Sequence, residues 1–139
     1  MGIPLYGQNK QGSILDIFAD AKVIRFSIAV SDSGNANNAD TGEDIPADYV
    51  PVFSTVTNAG ATALAGNACA FDVGGVDVTA DVNALAAGAS LAHVPAAISS
   101  ATTATNILID GSSGLVTASS TTTVEVVIVC IPAANISSL

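Results

Sequence analysis

His93 is the one side chain in this 139-residue chain whose ordinary titration falls near neutral pH. A catalytic triad or a histidine metal site needs partners grouped around it, and the flanking Ala92 and Val94 supply none. No G-x-S-x-G, no P-loop and no C-x-x-C occurs. His93 therefore reads as a surface or satisfied histidine, and the chain as a non-enzyme that needs no cofactor. Cys69 and Cys130 sit in the apolar runs ACAFDV and VEVVIVCIP. Free cysteine packs as a small hydrophobe, so buried reduced thiols are expected, although spacing leaves a disulfide open.

The carboxylates offer the other chemistry. Asp32, Asp40, Glu43 and Asp44, with the amides of Asn35, Asn37 and Asn38, are hard oxygen donors of the kind calcium takes. Their spacing fits no EF-hand, and a solvated acidic loop explains them more simply, so no metal site is assigned and these four remain weak candidates. In ACAFDVGGVDVTADV, a turn at Gly74-Gly75 would set Val73 opposite Val76, Phe71 opposite Val78 and Cys69 opposite Ala80. The same register sets Asp72 opposite Asp77 on an open sheet face, a like-charge pair that costs some tenths of a kcal/mol unless solvated or bridged by a cation, and solvation is the simpler expectation.

Charge restricts the partners. The only three cations, Lys10, Lys22 and Arg25, fall in the first 25 residues, while residues 26–139 carry ten carboxylates and no Lys or Arg. With no basic stripe there is nothing to neutralise phosphates, which argues against nucleic acid, and an anionic membrane surface would repel the body. The longest apolar run is far short of the ~18 residues of a membrane span, and residues 1–20 show no secretory signal pattern. MGIPLY has Tyr6 where myristoylation wants Ser or Thr, and the NIS at Asn135 is read as a chance glycosylation match. Only 11% of residues are charged, against about 25% in ordinary domains. A surface of Ser, Thr, Asn, Gly and Ala loses little hydration on contact, which favours assembly with other subunits.

The elements that position these residues read as β-structure. KVIRFSIAV (22–30) alternates, with Ile24, Phe26, Ile28 and Val30 on one face and Val23, Arg25, Ser27 and Ala29 on the other. Residues 31–48 are rich in Gly, Asn and Asp and read as an exposed loop. YVPVFSTVT (49–57) resumes extended structure, with Pro46 and Pro51 confining its beginning to an edge or a strand entry. NALAAGASLAHV (83–94) is the one candidate helix, weakened by Gly88 and Ser90. TNILID (105–110) and the β-branched LVTASSTTTVEVVIVCIP (115–132) follow, and the two-sided apolar stretch from Val126 to Ile131 predicts a strand that is central or covered on both sides. The fold class is therefore all-β: an antiparallel sandwich or barrel, jelly-roll-like being possible, with at most one short helix. Residues 1–20, with Gly2, Pro4, Gly7 and Gly12, form an extended arm, and residues 21–139 form a single domain.

The opening GIPLYGQNKQGS, the strand KVIRFSIAV and the Ala/Thr/Val/Gly-rich body resemble the capsid decoration, or cement, proteins of tailed bacteriophages. The resemblance is clearest over about the first 30 residues. It implies a virion protein, made in the host cytoplasm, that binds the outer capsid surface as a dimer or trimer and staples neighbouring major capsid protein subunits. The arm residues Ile3, Leu5 and Tyr6 then serve as apolar anchors in a neighbour and Lys10 as a charge contact. Two other readings compete: a tail, fibre or baseplate protein, and an acidic calcium- or carbohydrate-binding surface sandwich.

Overall fold

Alternation of apolar and polar residues in KVIRFSIAV produces β1 (Lys22–Val30), whose Ile24, Phe26, Ile28 and Val30 turn inward. The structure, a computed structural model, describes residues 17–30, 38–65, 69–96, 100–111 and 122–137. After β1 come β2 (Asp40–Ile45), β3 (Tyr49–Asn58), β4 (Cys69–Val73), β5 (Val76–Asp77), β6 (Ser90–His93), β7 (Thr105–Gly111) and β8 (Thr122–Pro132). A five-residue helix, α1 (Ala133–Ser137), follows β8.

Two four-stranded antiparallel sheets result, sheet A in the order β1-β8-β3-β6 and sheet B in the order β2-β7-β4-β5. First pairs with last, second with seventh, third with sixth and fourth with fifth, the pairs alternating between sheets. That is one long antiparallel ribbon rolled up on itself, the jelly roll. The expected sandwich is thus present, and β8 is central, between β1 and β3, the first of the two places its apolar faces allowed.

Between the sheets lies one core, built from the inward rows Val124, Val126, Ile128 and Cys130 of β8, Phe71 and Val73 of β4, and Ile107 and Ile109 of β7. Phe26 meets Phe71 edge-on across the layers, centroids 5.7 Å apart at 76°. The buried Ser54 hydroxyl on β3 donates to the Val78 carbonyl at 2.6 Å and so links sheet A to the chain leaving β5.

Four expectations are corrected. The acidic stretch is not wholly a loop, because residues 40–45 form edge strand β2 against β7. Its composition disfavours a strand, but Thr41 Oγ1 donates to the Ile107 carbonyl and Asn106 Nδ2 to the Asp40 carboxylate, and Ile45 is buried. Residues 83–94 make turns and then β6 rather than a helix. Ala84 and Gly88 adopt positive φ, 54° and 76°, and residues 90–93 find a longer-range partner in β3. In the hairpin, Asp72–Asp77 and Val73–Val76 pair as expected around Gly74 and Gly75, both at positive φ, and Val78 N–H bonds the Phe71 carbonyl. Beyond that the register slips: the Cys69 carbonyl takes Val82 N–H, not Ala80, because Thr79 Oγ1 and Asp81 Oδ1 accept the Phe71 and Cys69 amides. Lastly, Asp72 does not lie on an open face; it is buried at 5% exposure.

Candidate interaction surface

The alternation that sends one half of β1 inward sends Val23, Arg25, Ser27 and Ala29 outward. Register extends these into rows across sheet A. Val23 lies beside Val129 and Phe53; Arg25 beside Val127, Thr55 and Ala92; Ser27 beside Glu125, Thr57 and Ser90. Four strands at ~4.8 Å spacing make a face about 15 Å across. It is apolar at one end, where Val23 is 50% and Phe53 41% exposed, and neutral elsewhere apart from Arg25 and Glu125. A hydrogen bond between the Thr57 and Ser90 hydroxyls, 2.7 Å, stiffens the β3–β6 side.

The apolar end continues into a groove. β6 pairs with β3 only along Ser54–Thr57, so residues 49–53 of β3 have no strand partner on that side among the described residues. Pro51 sits there, near the entry of β3 and beside the bulge that shifts the register with β8, in keeping with the expectation of an edge or a strand entry. Residues 50–52 of β3, residues 94–96 after β6 and Ile136 of α1 line the groove, whose volume is about 400 Å³. Every lining side chain is apolar, and Val94 and Ile136 are 72% and 44% exposed.

Residues 94–96 separate this groove from a shallow depression, on the other side, lined in part by Asp77, His93 and Asp110. The hairpin and the β4–β7 ladder bring Asp72, Asp77 and Asp110 to one outer face of sheet B. Burial, then the charges of Asp110 and Asp72, pushes the Asp77 carboxyl above its ordinary range, while His93 pulls it partly back. Asp72 Oδ2 accepts the Gly75 amide at 2.8 Å, capping the turn, and Oδ1 has no hydrogen-bond partner among the described residues. Among the described residues that line the depression, none carries a hydroxyl or thiol. Burial, reinforced by Asp81, Asp110 and Asp77, raises the Cys69 thiol to about 12, and burial raises Cys130 to about 12. Both thiols are free, buried and far from thiolate chemistry at neutral pH.

Of the weak metal candidates, Asp32 lies outside the described residues. Asp40 spends its oxygens on Gly42 N–H, 2.8 Å, and Asn106 Nδ2, 3.0 Å, and Glu43 and Asp44 are exposed on β2. Among the described residues no three His, Cys, Asp or Glu side chains are grouped to hold a metal ion. Ile3, Leu5, Tyr6 and Lys10 also lie outside the described residues. The end of their segment is seen: Asn135 Nδ2 donates to the Ile17 and Ala19 carbonyls at 3.3 and 2.7 Å, and Tyr49 Oη to the Asp20 carbonyl at 2.9 Å. Lys22 Nζ caps the Tyr49 ring at 4.6 Å. The rows of sheet A were implicit in the alternation of β1, whereas the groove, made by the early end of β6, had no local signal.

No protein-family model matches this sequence, and no curated protein matches it. Among solved structures, it is similar in fold to a chain of the capsid of Ralstonia phage GP4, with a TM-score of 0.56 and 15% identity over 81% of this chain and 84% of that one. A chain of the cyanophage Pam1 capsid asymmetric unit aligns over the same shares at 15% identity, with a TM-score of 0.48.

Proposed function

We propose that this chain is a non-enzymatic structural protein of a tailed-phage virion, a decoration protein on the outer surface of the head. There it binds as a homo-oligomer and staples neighbouring major capsid protein subunits. The observation that carries the reading is the likeness in fold to a phage capsid chain over more than four-fifths of both chains. The outer face of sheet A supports it: a regular sheet surface with two charges and an apolar end loses little hydration when it seats on another protein. In this reading the rows of that face from Arg25 to Ser90 meet the shell, and the arm, through Ile3, Leu5, Tyr6 and Lys10, reaches an adjoining subunit.

Purified heads lacking the protein provide the test. Full-length chain is expected to decorate the lattice in many copies, and a chain without residues 1–12 to leave it bare while keeping the β circular dichroism of the body. Unchanged occupancy after the deletion would contradict the assignment of the arm. Density confined to the tail would contradict placement on the head.

A further inference from the structure

We propose that the apolar groove formed by residues 50–52, residues 94–96 and Ile136 receives residues 3–6 of a second copy of this chain. The inference deepens the assembly reading above by naming the arm's partner and the place where it docks.

Three observations carry it. First, the root of the arm is pinned at the rim of the groove. Asn135 and Tyr49 hold residues 17–20, and their chain neighbours Ile136 and Val50 line the groove itself. At least 16 residues precede that root, and the ten from Gly7 to Asp16 span about 33 Å when extended. Two copies with facing grooves therefore exchange arms reciprocally about a two-fold axis, a closed arrangement with no unfilled groove.

Second, the chemistry matches. The described residues that line the groove include no charged one, and residues 1–9 contain no charged side chain. Residues 49–53 of β3, with no strand on that side among the described residues, are the edge to which a strand would be added, Pro51 supplying a carbonyl but no N–H, while the alternating Ile3 and Leu5 of such a strand share one face. Lys10 then falls near a body whose residues 26–139 carry only negative side-chain charge.

Third, the groove is continuous with the row Val23, Val129 and Phe53, since Val52 in the groove adjoins Phe53. A four-residue segment of the chain's own arm would fill the groove and leave that row exposed. A second copy seated there covers both.

Disulfide trapping in the free protein, without heads, tests this. In the double variant Leu5→Cys/Val94→Cys, oxidation is expected to give a covalent multimer on a non-reducing gel, at least tenfold more than in Leu5→Cys/Glu43→Cys, which places the second thiol on β2. The buried native thiols at 69 and 130 do not compete. A cross-linked single chain, equal yields from the two pairs, or no cross-link would each overturn the proposal. Independently, Val94→Asp, at a 72% exposed position, is expected to shift the solution mass to the 13.6 kDa of one chain with the fold retained. Retention of the wild-type oligomer would overturn the proposal as well. Cross-linking without decoration of heads sinks the virion reading alone; decoration without cross-linking sinks this inference alone.

Discussion

Asn58 shows how much one side chain can organise. Fully buried, its Nδ2 donates to the Thr62 and Leu85 carbonyls, and its Oδ1 accepts from Gly60 N–H and the Thr122 hydroxyl. It thus ties two loops to the start of β8. Asn58→Ala strands several of these groups and is expected to destabilise the fold by about 3 kcal/mol in urea unfolding. Asn58→Asp is expected to do no better at pH 7, because it turns a carboxylate toward two carbonyls. Gly60 is required for a simpler reason: a Cβ there would overlap the Thr122 side chain, so Gly60→Ala should also destabilise. Asp77 gives a test with a sign. Its carboxyl is raised in the folded state, so the native form binds its proton more tightly than the unfolded form does, and stability falls as pH rises from about 4 through the raised value. Asp77→Asn is therefore expected to stabilise at pH 7, by about 0.5 kcal/mol because the side chain is exposed and screened. The gain should vanish at pH 3; a gain of equal size there would refute the electrostatic cause.

Elements differ in where their instructions lie. β1, β7 and β8 were legible because their own residues alternate or branch at the β carbon, residues 115–121 of the long run lying outside the described residues, and the β4–β5 turn because two glycines accept positive φ. β2 and β6 were not, because their pairing energy comes from β7 and β3, 60 and 30 or so residues away in sequence, and a window of ten residues does not contain it. The lead-in to β1 behaves as a latch held from outside, by α1 and β3. Asn135→Ala is expected to speed amide hydrogen exchange in residues 17–21 at least tenfold while shifting global stability by less than about 1 kcal/mol. Exchange unchanged in that segment would show that the hydrogen bonds to Asn135 do not hold it.

At the scale of the molecule, the sandwich turns the outer residues of four strands into one surface. Val127 stands in the middle row of that surface, between Arg25 and Thr55. Val127→Glu adds a charge to the proposed shell-facing side without touching the core, and is expected to weaken binding to purified heads at least tenfold with little change in thermal midpoint. Undiminished binding would move the contact to another face. Salt gives a complementary reading: with two charges on the face, head binding should change little between low and moderate ionic strength. A steep loss would show that charge, not apolar contact, holds the complex.

Composition and periodicity alone determined the β class, the inward and outward rows of β1, the central place of β8 and the absence of the common catalytic motifs. Those properties are local, carried by side-chain type and by a period of two. Tertiary structure decided the rest: the rolled strand order, the recruitment of an acidic segment as β2, the burial of Asp72 and the groove beside Pro51. Each depends on where one strand ends relative to another, and such endings are set by packing between segments distant in the chain.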